Sequence, residues 1–178
     1  VQGHREVKQV ITPHLVFDDT REAIKWYERA FKATDVQLMP LDDDPKGRLI
    51  HASFKVYGGT VFAADAFPEW DEGTKTVQQH GKHSPCDLYI QLDKPEDVDE
   101  ACKVAVDAGG KLAMPVDDQF WGDRYGGVKD PFGFTWSFAA TIDAERTKKA
   151  ADEWKKFRQQ MAAGGGGAAG GAAAAAAA

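Results

Sequence analysis

The residues best suited to do chemistry in this chain gather between positions 121 and 125, where Trp121, Asp123, Arg124 and Tyr125 follow one another closely. An arginine can hold a carboxylate or phosphate through two parallel hydrogen bonds. Asp123 could orient that guanidinium, and Trp121 and Tyr125 would offer flat faces to a planar ligand. The same four residues would equally make a surface ion pair over an apolar edge. Other clusters suggest less. Asp65 precedes Phe67, Pro68 and Trp70, a loop that could cover a cleft or tuck against the core. His80 and His83 lie among Gln, Gly, Lys and Ser and read as solvent-exposed. The run Asp42-Asp43-Asp44-Pro45 lacks the spaced ligands and distal Glu of a calcium loop and reads as a solvated turn. Cys86 and Cys102 fit neither a metal knuckle nor a CxxC motif. No linear Ser-His-Asp or Cys-His pattern stands out, although such triads are assembled in space.

Elements able to position these residues come in one order, twice. Residues 10–17 read as a strand. Residues 20–32 read as a helix with Ala23, Ile24, Tyr27, Ala30 and Phe31 at helical spacing, capped by Asp19 or Thr20. Strands are expected over 35–41, 48–56 and 60–65, the last two joined through Gly58-Gly59. After a polar linker, 67–85, the pattern repeats: a strand at 87–92, a helix at 95–108 opened by Pro95 and stopped by Gly109, and strands at 111–119, 124–130 and 134–139. Asp130-Pro131-Phe132-Gly133 carries a type I turn signature and sets the register of the last hairpin. The fold class is therefore α+β, with two βαβββ modules over residues 10–66 and 86–142, preceded by an extension at 1–9. Neither module of roughly 60 residues would bury much core alone. Pairing them into one curved mixed sheet would create a concave cleft suited to a small molecule.

A charged helix is expected at 143–161. Thr147, Ala150, Trp154, Phe157 and Met161 form a short heptad seam along it, fit for packing on the domain or on a partner subunit. Residues 162–178 are only Gly and Ala and read as a flexible tail. Over 178 residues, 22 Lys+Arg stand against 28 Asp+Glu, a net charge of −6. That balance argues against nucleic acid as a partner. No apolar run is long enough to span a membrane, and residues 1–9 show no signal-peptide pattern. A cytoplasmic protein with reduced thiols is the expectation.

The chain resembles the vicinal oxygen chelate superfamily of glyoxalases, bleomycin-resistance proteins and extradiol dioxygenases, and within it the PhnB-like branch. The matching segments are Ile11-Thr12-Pro13-His14-Leu15-Val16-Phe17, Ala23-Ile24-Lys25-Trp26-Tyr27-Glu28-Arg29-Ala30-Phe31, His51-Ala52-Ser53-Phe54, Trp121-Gly122-Asp123-Arg124-Tyr125-Gly126 and Asp130-Pro131-Phe132-Gly133. This resemblance implies a cleft that binds a small planar or anionic molecule, with His14, His51, Phe54 and Asp65 joining Trp121, Asp123, Arg124 and Tyr125 as ligand-binding candidates. It also implies pairing into a homodimer. A methyltransferase label sometimes attached to the branch finds no support, since no glycine-rich loop follows the first strand.

Metal-dependent members of the superfamily draw ligands from His and Glu at four strand positions. The resemblance places Thr12, Ser53, Asp87 and Ser137 there. Neutral hydroxyls are poor substitutes for imidazole or carboxylate at zinc, nickel or iron. The expectation is thus no cofactor, no metal, and no isomerisation of the methylglyoxal–glutathione adduct. Two residues from the matched positions, and on the same strand faces, stand His14 and His51. With Asp87 they would make a two-histidine, one-carboxylate set for a divalent metal. That leaves a metal-dependent lyase, isomerase or dioxygenase as the second reading, and an interaction protein docking through its C-terminal helix as the third.

Overall fold

In a computed structural model the described residues are 11–70, 76–80 and 84–163. The extension at 1–9, His83 and the Gly/Ala tail from 164 onward lie outside them. The chain divides into two units, with the boundary between Lys82 and His83. Each unit carries one helix-backed sheet of four strands, and hydrogen bonding links the strands in the orders β1-β4-β3-β2 and β5-β8-β7-β6.

In the first unit β1 (His14–Phe17) runs parallel to β4 (Gly59–Asp65), and β3 (Leu49–Val56) lies antiparallel to both β4 and β2 (Thr34–Pro40). Strand β1 is shorter than expected because Pro13 has no N–H for the ladder. Its carbonyl still accepts from Phe62 N at 2.9 Å. Helix α1 (Thr20–Phe31) is capped by Asp19, whose carboxylate accepts Glu22 N at 3.0 Å. Its buried face carries Ala23, Ile24, Trp26, Tyr27, Ala30 and Phe31. The hairpin between β3 and β4 turns on Tyr57 and Gly58, both at positive φ (49° and 83°), one residue before the expected Gly58-Gly59. Two left-handed residues in succession match the right-handed twist of the flanking strands. A single helical turn, α2 (Val77–His80), stands inside the expected linker. Thr76 Oγ1 accepts Gln79 N at its start and donates to Asp18 at 2.8 Å, tying this segment to the β1–α1 corner.

The second unit repeats the plan. Strand β5 (Asp87–Gln91) is parallel to β8 (Thr135–Thr141), and β7 (Asp123–Lys129) is antiparallel to β8 and to β6 (Lys111–Asp118). Helix α3 (Pro95–Asp107) covers one face. A Cβ on Gly126 would lie 3.0 Å from Cys102 Sγ of this helix and 2.6 Å from Val116 Cγ2 of β6. The β7–β8 turn forms as expected. Gly133 N donates to Asp130 O at 3.2 Å, and Gly133 takes φ +97°. Asp130, itself buried, accepts Phe132 N, Phe134 N and Trp136 Nε1, each at 2.9 Å. Helix α4 (Ala144–Ala163) follows.

Candidate functional site

Strand alternation divides every side chain of a sheet between the helix-covered face and the open face. In the second unit, Gly126 and Val128 face α3, so Arg124 lies on that side as well, while Asp123, Tyr125 and Lys129 point to the open side. Arg124 meets Asp99 of α3 through Nε at 2.5 Å and Nη2 at 2.6 Å, and Asp118 of β6 through Nη1 at 3.0 Å. Asp118 in turn accepts both Nε and Nη2 of Arg146, at 2.7 and 2.6 Å. The expected partner of Arg124 was Asp123. Alternation instead puts these neighbours on opposite faces, and the guanidinium is engaged by two other carboxylates. Hydrogen bonding from Arg124 holds the Asp99 carboxyl below its ordinary pKa, and Arg146, then Arg124, do the same for Asp118. Arg124 is itself shifted upward, chiefly by Asp99. This Arg124–Asp99–Asp118–Arg146 network fastens α3 and the start of α4 to the sheet.

On the open face, Tyr125 Oη and Ser137 Oγ share a hydrogen bond of 2.8 Å. Tyr89 stands in register with Ser137 on β5, its ring centroid 6.2 Å from that of Tyr125. Trp121 meets Tyr125 edge-on at 5.8 Å. Tyr89 and Trp121 are 54% and 44% exposed, whereas Ser137 is 1% exposed beneath the rings. The aromatic run continues from Trp121 to Phe120 at 5.0 Å, and Phe120 stacks on Trp154 of α4 at 5.1 Å and 13°. Part of the expected α4 seam is therefore spent on its own unit: Ala150 is buried and Trp154 covers Phe120, while Met161 stays exposed.

His14 and His51 come together on the open face of the first unit, centroids 6.2 Å apart, with Phe62 4.9 Å from His51. Partial burial first, and the neighbouring His51 second, lower the pKa of His14. Phe54 was expected in the cleft and is not there. It is 1% exposed, on the face covered by α1, and stacks on Tyr27 at 5.4 Å. The same period-2 rule that unites His51 with Ser53 sends Phe54 to the other side. Asp65 likewise proves structural. Its two oxygens accept Thr20 N at 2.7 Å and Leu49 N at 2.6 Å, joining the start of α1 to β3 and β4. Phe67 stacks on Trp70 at 4.5 Å, and the Arg48 guanidinium lies 4.4 Å from the Phe67 ring.

Asp87, exposed at the start of β5, belongs to the second unit, whereas His14 and His51 belong to the first. Within each unit, no three His, Cys, Asp or Glu among the described residues converge as metal ligands. Of the positions matched to family ligands, Ser137 is committed to Tyr125, and Ser53 sits between Gln37 and Phe62 in the ladder. Neutral hydroxyls of this kind are poor ligands for zinc, nickel or iron. Burial, and then the nearby Asp99 charge, push the Cys102 thiol up to about 12 and leave it inert at neutral pH. No helix of the described residues is long and apolar enough to cross a membrane. Sequence reading passed over Tyr89. Part of the signal was present, since Asp87, Tyr89 and Gln91 alternate on an expected strand, but its place beside the strand carrying Ser137 comes from the fold. The pairing of Arg124 with Asp99 joins residues from two elements and has no local signature.

Residues 9–138 match the profile of a family described as the Glyoxalase/Bleomycin resistance protein/Dioxygenase superfamily. Uncharacterized protein Rv0887c of Mycobacterium tuberculosis is 35% identical over 136 residues, 76% of each chain. Among solved structures, a PhnB protein from Bacillus cereus matches with TM-score 0.57 at 22% identity, covering 75% of this chain and all of its own. TioX from Micromonospora sp. ML1 gives TM-score 0.51 at 25% identity over 76% of this chain and 99% of that one. A glyoxalase-related enzyme from Fulvimarina pelagi gives 0.55 at 21% identity, over 78% and 94%.

Proposed function

The chain belongs to the glyoxalase/bleomycin resistance protein/dioxygenase superfamily, and on that premise we propose that it is a binding protein. It holds a small planar molecule against the open face of its second unit, without the metal chemistry of the superfamily's enzymes. One observation carries this reading. At the position where metal-dependent relatives would place a carboxylate, Ser137 is bonded to Tyr125 Oη under a partly exposed wall of Tyr89, Tyr125 and Trp121. Aromatic rings at these separations accept a flat ligand by offset stacking or edge contact. The paired hydroxyls supply one polar anchor, which can turn its free lone pairs or a proton toward the ligand. Such a face has affinity for a ring system but no group that activates a bond in it.

Quinoline is a suitable probe, titrated into isotope-labelled protein and followed by NMR. Shifts are expected to centre on Tyr89, Trp121, Tyr125 and Ser137. The double variant Tyr89→Ala/Trp121→Ala should weaken binding by about tenfold or more, as removal of two stacking faces implies. Shifts centred on His14 and His51 instead, with no effect of the double variant, would move the site to the first unit and favour the metal-dependent reading.

A further inference from the structure

The charge of the open face decides which planar molecules suit it. Anion binding was the role expected of Arg124, yet that guanidinium lies on the opposite side of the sheet and is bound to Asp99 and Asp118. Around the rings the ladder places only acids and neutral groups. Tyr125 is in register with Asp117 on β6 and Ala139 on β8, and Gln91 continues that row on β5. Asp123 stands one step further along the same face, in register with Thr141, whose Oγ1 donates to it at 3.4 Å. Asp117 and Asp118 split as Arg124 and Tyr125 do: Asp118 joins the arginines on the helix side, and Asp117 keeps to the open side. The cations of this face are Lys129 and Lys111, paired with each other at its far end, in the row that Asp87 shares through Thr135. The face is thus polarised along its strands, with Asp117 and Asp123 at the aromatic end and two lysines against the single Asp87 at the other.

We propose that the second unit's site selects planar cations: a flat, positively charged ring system laid on Tyr89, Tyr125 and Trp121, with Asp117 and Asp123 as its counter-charges. A cation over an aromatic face is drawn by the ring quadrupole, and the effect grows as water is excluded. A carboxylate beside the same ring adds direct attraction. Asp123 is close enough to act at this distance, since its field, after burial, raises the pKa of Tyr89. An anionic ring would meet two carboxylates there, while Arg124 and Arg146 are held by Asp99 and Asp118.

The proposal rests on the aromatic face reading, and one matched series separates the two. Quinoline, N-methylquinolinium and quinoline-4-carboxylate share a ring system and differ in charge. Isothermal titration of the full chain should place N-methylquinolinium about tenfold tighter than quinoline, with the carboxylate weakest. Asp117→Asn/Asp123→Asn should erase the advantage of the cation while leaving quinoline unchanged. Glu96→Gln/Glu100→Gln, an equal loss of charge on exposed positions of α3, should preserve it and so controls for the net charge of −6. If quinoline and its cation bind equally, or the anion binds best, the charge selection is overturned and the aromatic site stands. If the advantage falls equally in both double variants, it comes from bulk charge and the proposal also fails. Failure of all three probes to bind overturns the aromatic site and this inference together.

Discussion

The two units share a topology and differ in what their open faces offer. In the first, His14 and His51 lean together beside Phe62. In the second, Tyr89, Tyr125 and Trp121 surround the Ser137 hydroxyl. Their helix-covered faces are alike in one respect: each has a buried carboxylate that gathers backbone or indole N–H groups, Asp65 in one and Asp130 in the other. The comparison teaches that the covered face repeats a structural solution while the open face is free to diverge. A duplicated fold can therefore keep its scaffold and carry imidazoles on one copy and phenols on the other.

The sharpest way to break that comparison is to remove a scaffold carboxylate. Asp65→Ala would leave Thr20 N and Leu49 N buried without partners, at a cost of roughly 1–3 kcal/mol for each unsatisfied group. Its thermal midpoint should fall by about 5–15 °C, read by differential scanning calorimetry, with hydrogen exchange faster in α1 and β3. If the loss were confined to a degree or two, Asp65 would be free for a ligand after all, and the structural role assigned to it would fail.

That residue also marks where sequence reading stops. Helices, most strand segments and the Asp130 turn were legible because capping, periodicity and turn chemistry act over a few neighbouring positions. His14, His51, Trp121 and Tyr125 were legible as candidates by residue type, and alternation correctly put the two histidines on one face. Phe54, Asp65 and Arg124 were misjudged because their partners lie in other elements: Tyr27 on α1, Thr20 N and Leu49 N, and Asp99 on α3. Applying the alternation consistently would have separated Arg124 from Tyr125 and Phe54 from Ser53. No local rule would have supplied Asp99.

A smaller effect should follow from the ionic network, which among the described residues only the second unit possesses. Asp118→Asn leaves Arg124 its two bonds to Asp99 but takes from Arg146 its counter-charge and one of its two acceptor oxygens. The expected loss is about 1–3 kcal/mol at neutral pH, as for hydrogen bonds to charged groups, with increased exchange over the first turns of α4. The pH dependence has a definite sign. The pKa values of Asp99 and Asp118 are lower folded than unfolded. Their stabilisation is therefore complete above the ordinary carboxylate range and disappears as pH falls through the folded values. Acid unfolding of the parent should be steeper than that of the variant, the two converging at low pH. An unchanged acid limb would show that the network adds nothing to the second unit.

The smallest effect belongs to the first unit and has the same direction for another reason. His14 titrates below the usual imidazole value because it is partly desolvated and faces His51. A histidine whose pKa is depressed on folding favours the folded state while neutral. Its contribution is full above about 6.5, the unfolded value, and declines as pH falls through the lower folded one. NMR titration should resolve His14 below the model-peptide value, and His51→Ala should raise it by removing the second positive charge, leaving the desolvation in place. The change in stability between neutral and mildly acidic pH should be small, since solvent screens this exposed imidazole. The second unit offers an internal reference. Its open face holds no histidine among the described residues, so the Tyr89 and Tyr125 resonances should stay unmoved across the same pH range. If they move with His14, the two faces do not titrate independently and the contrast between them fails.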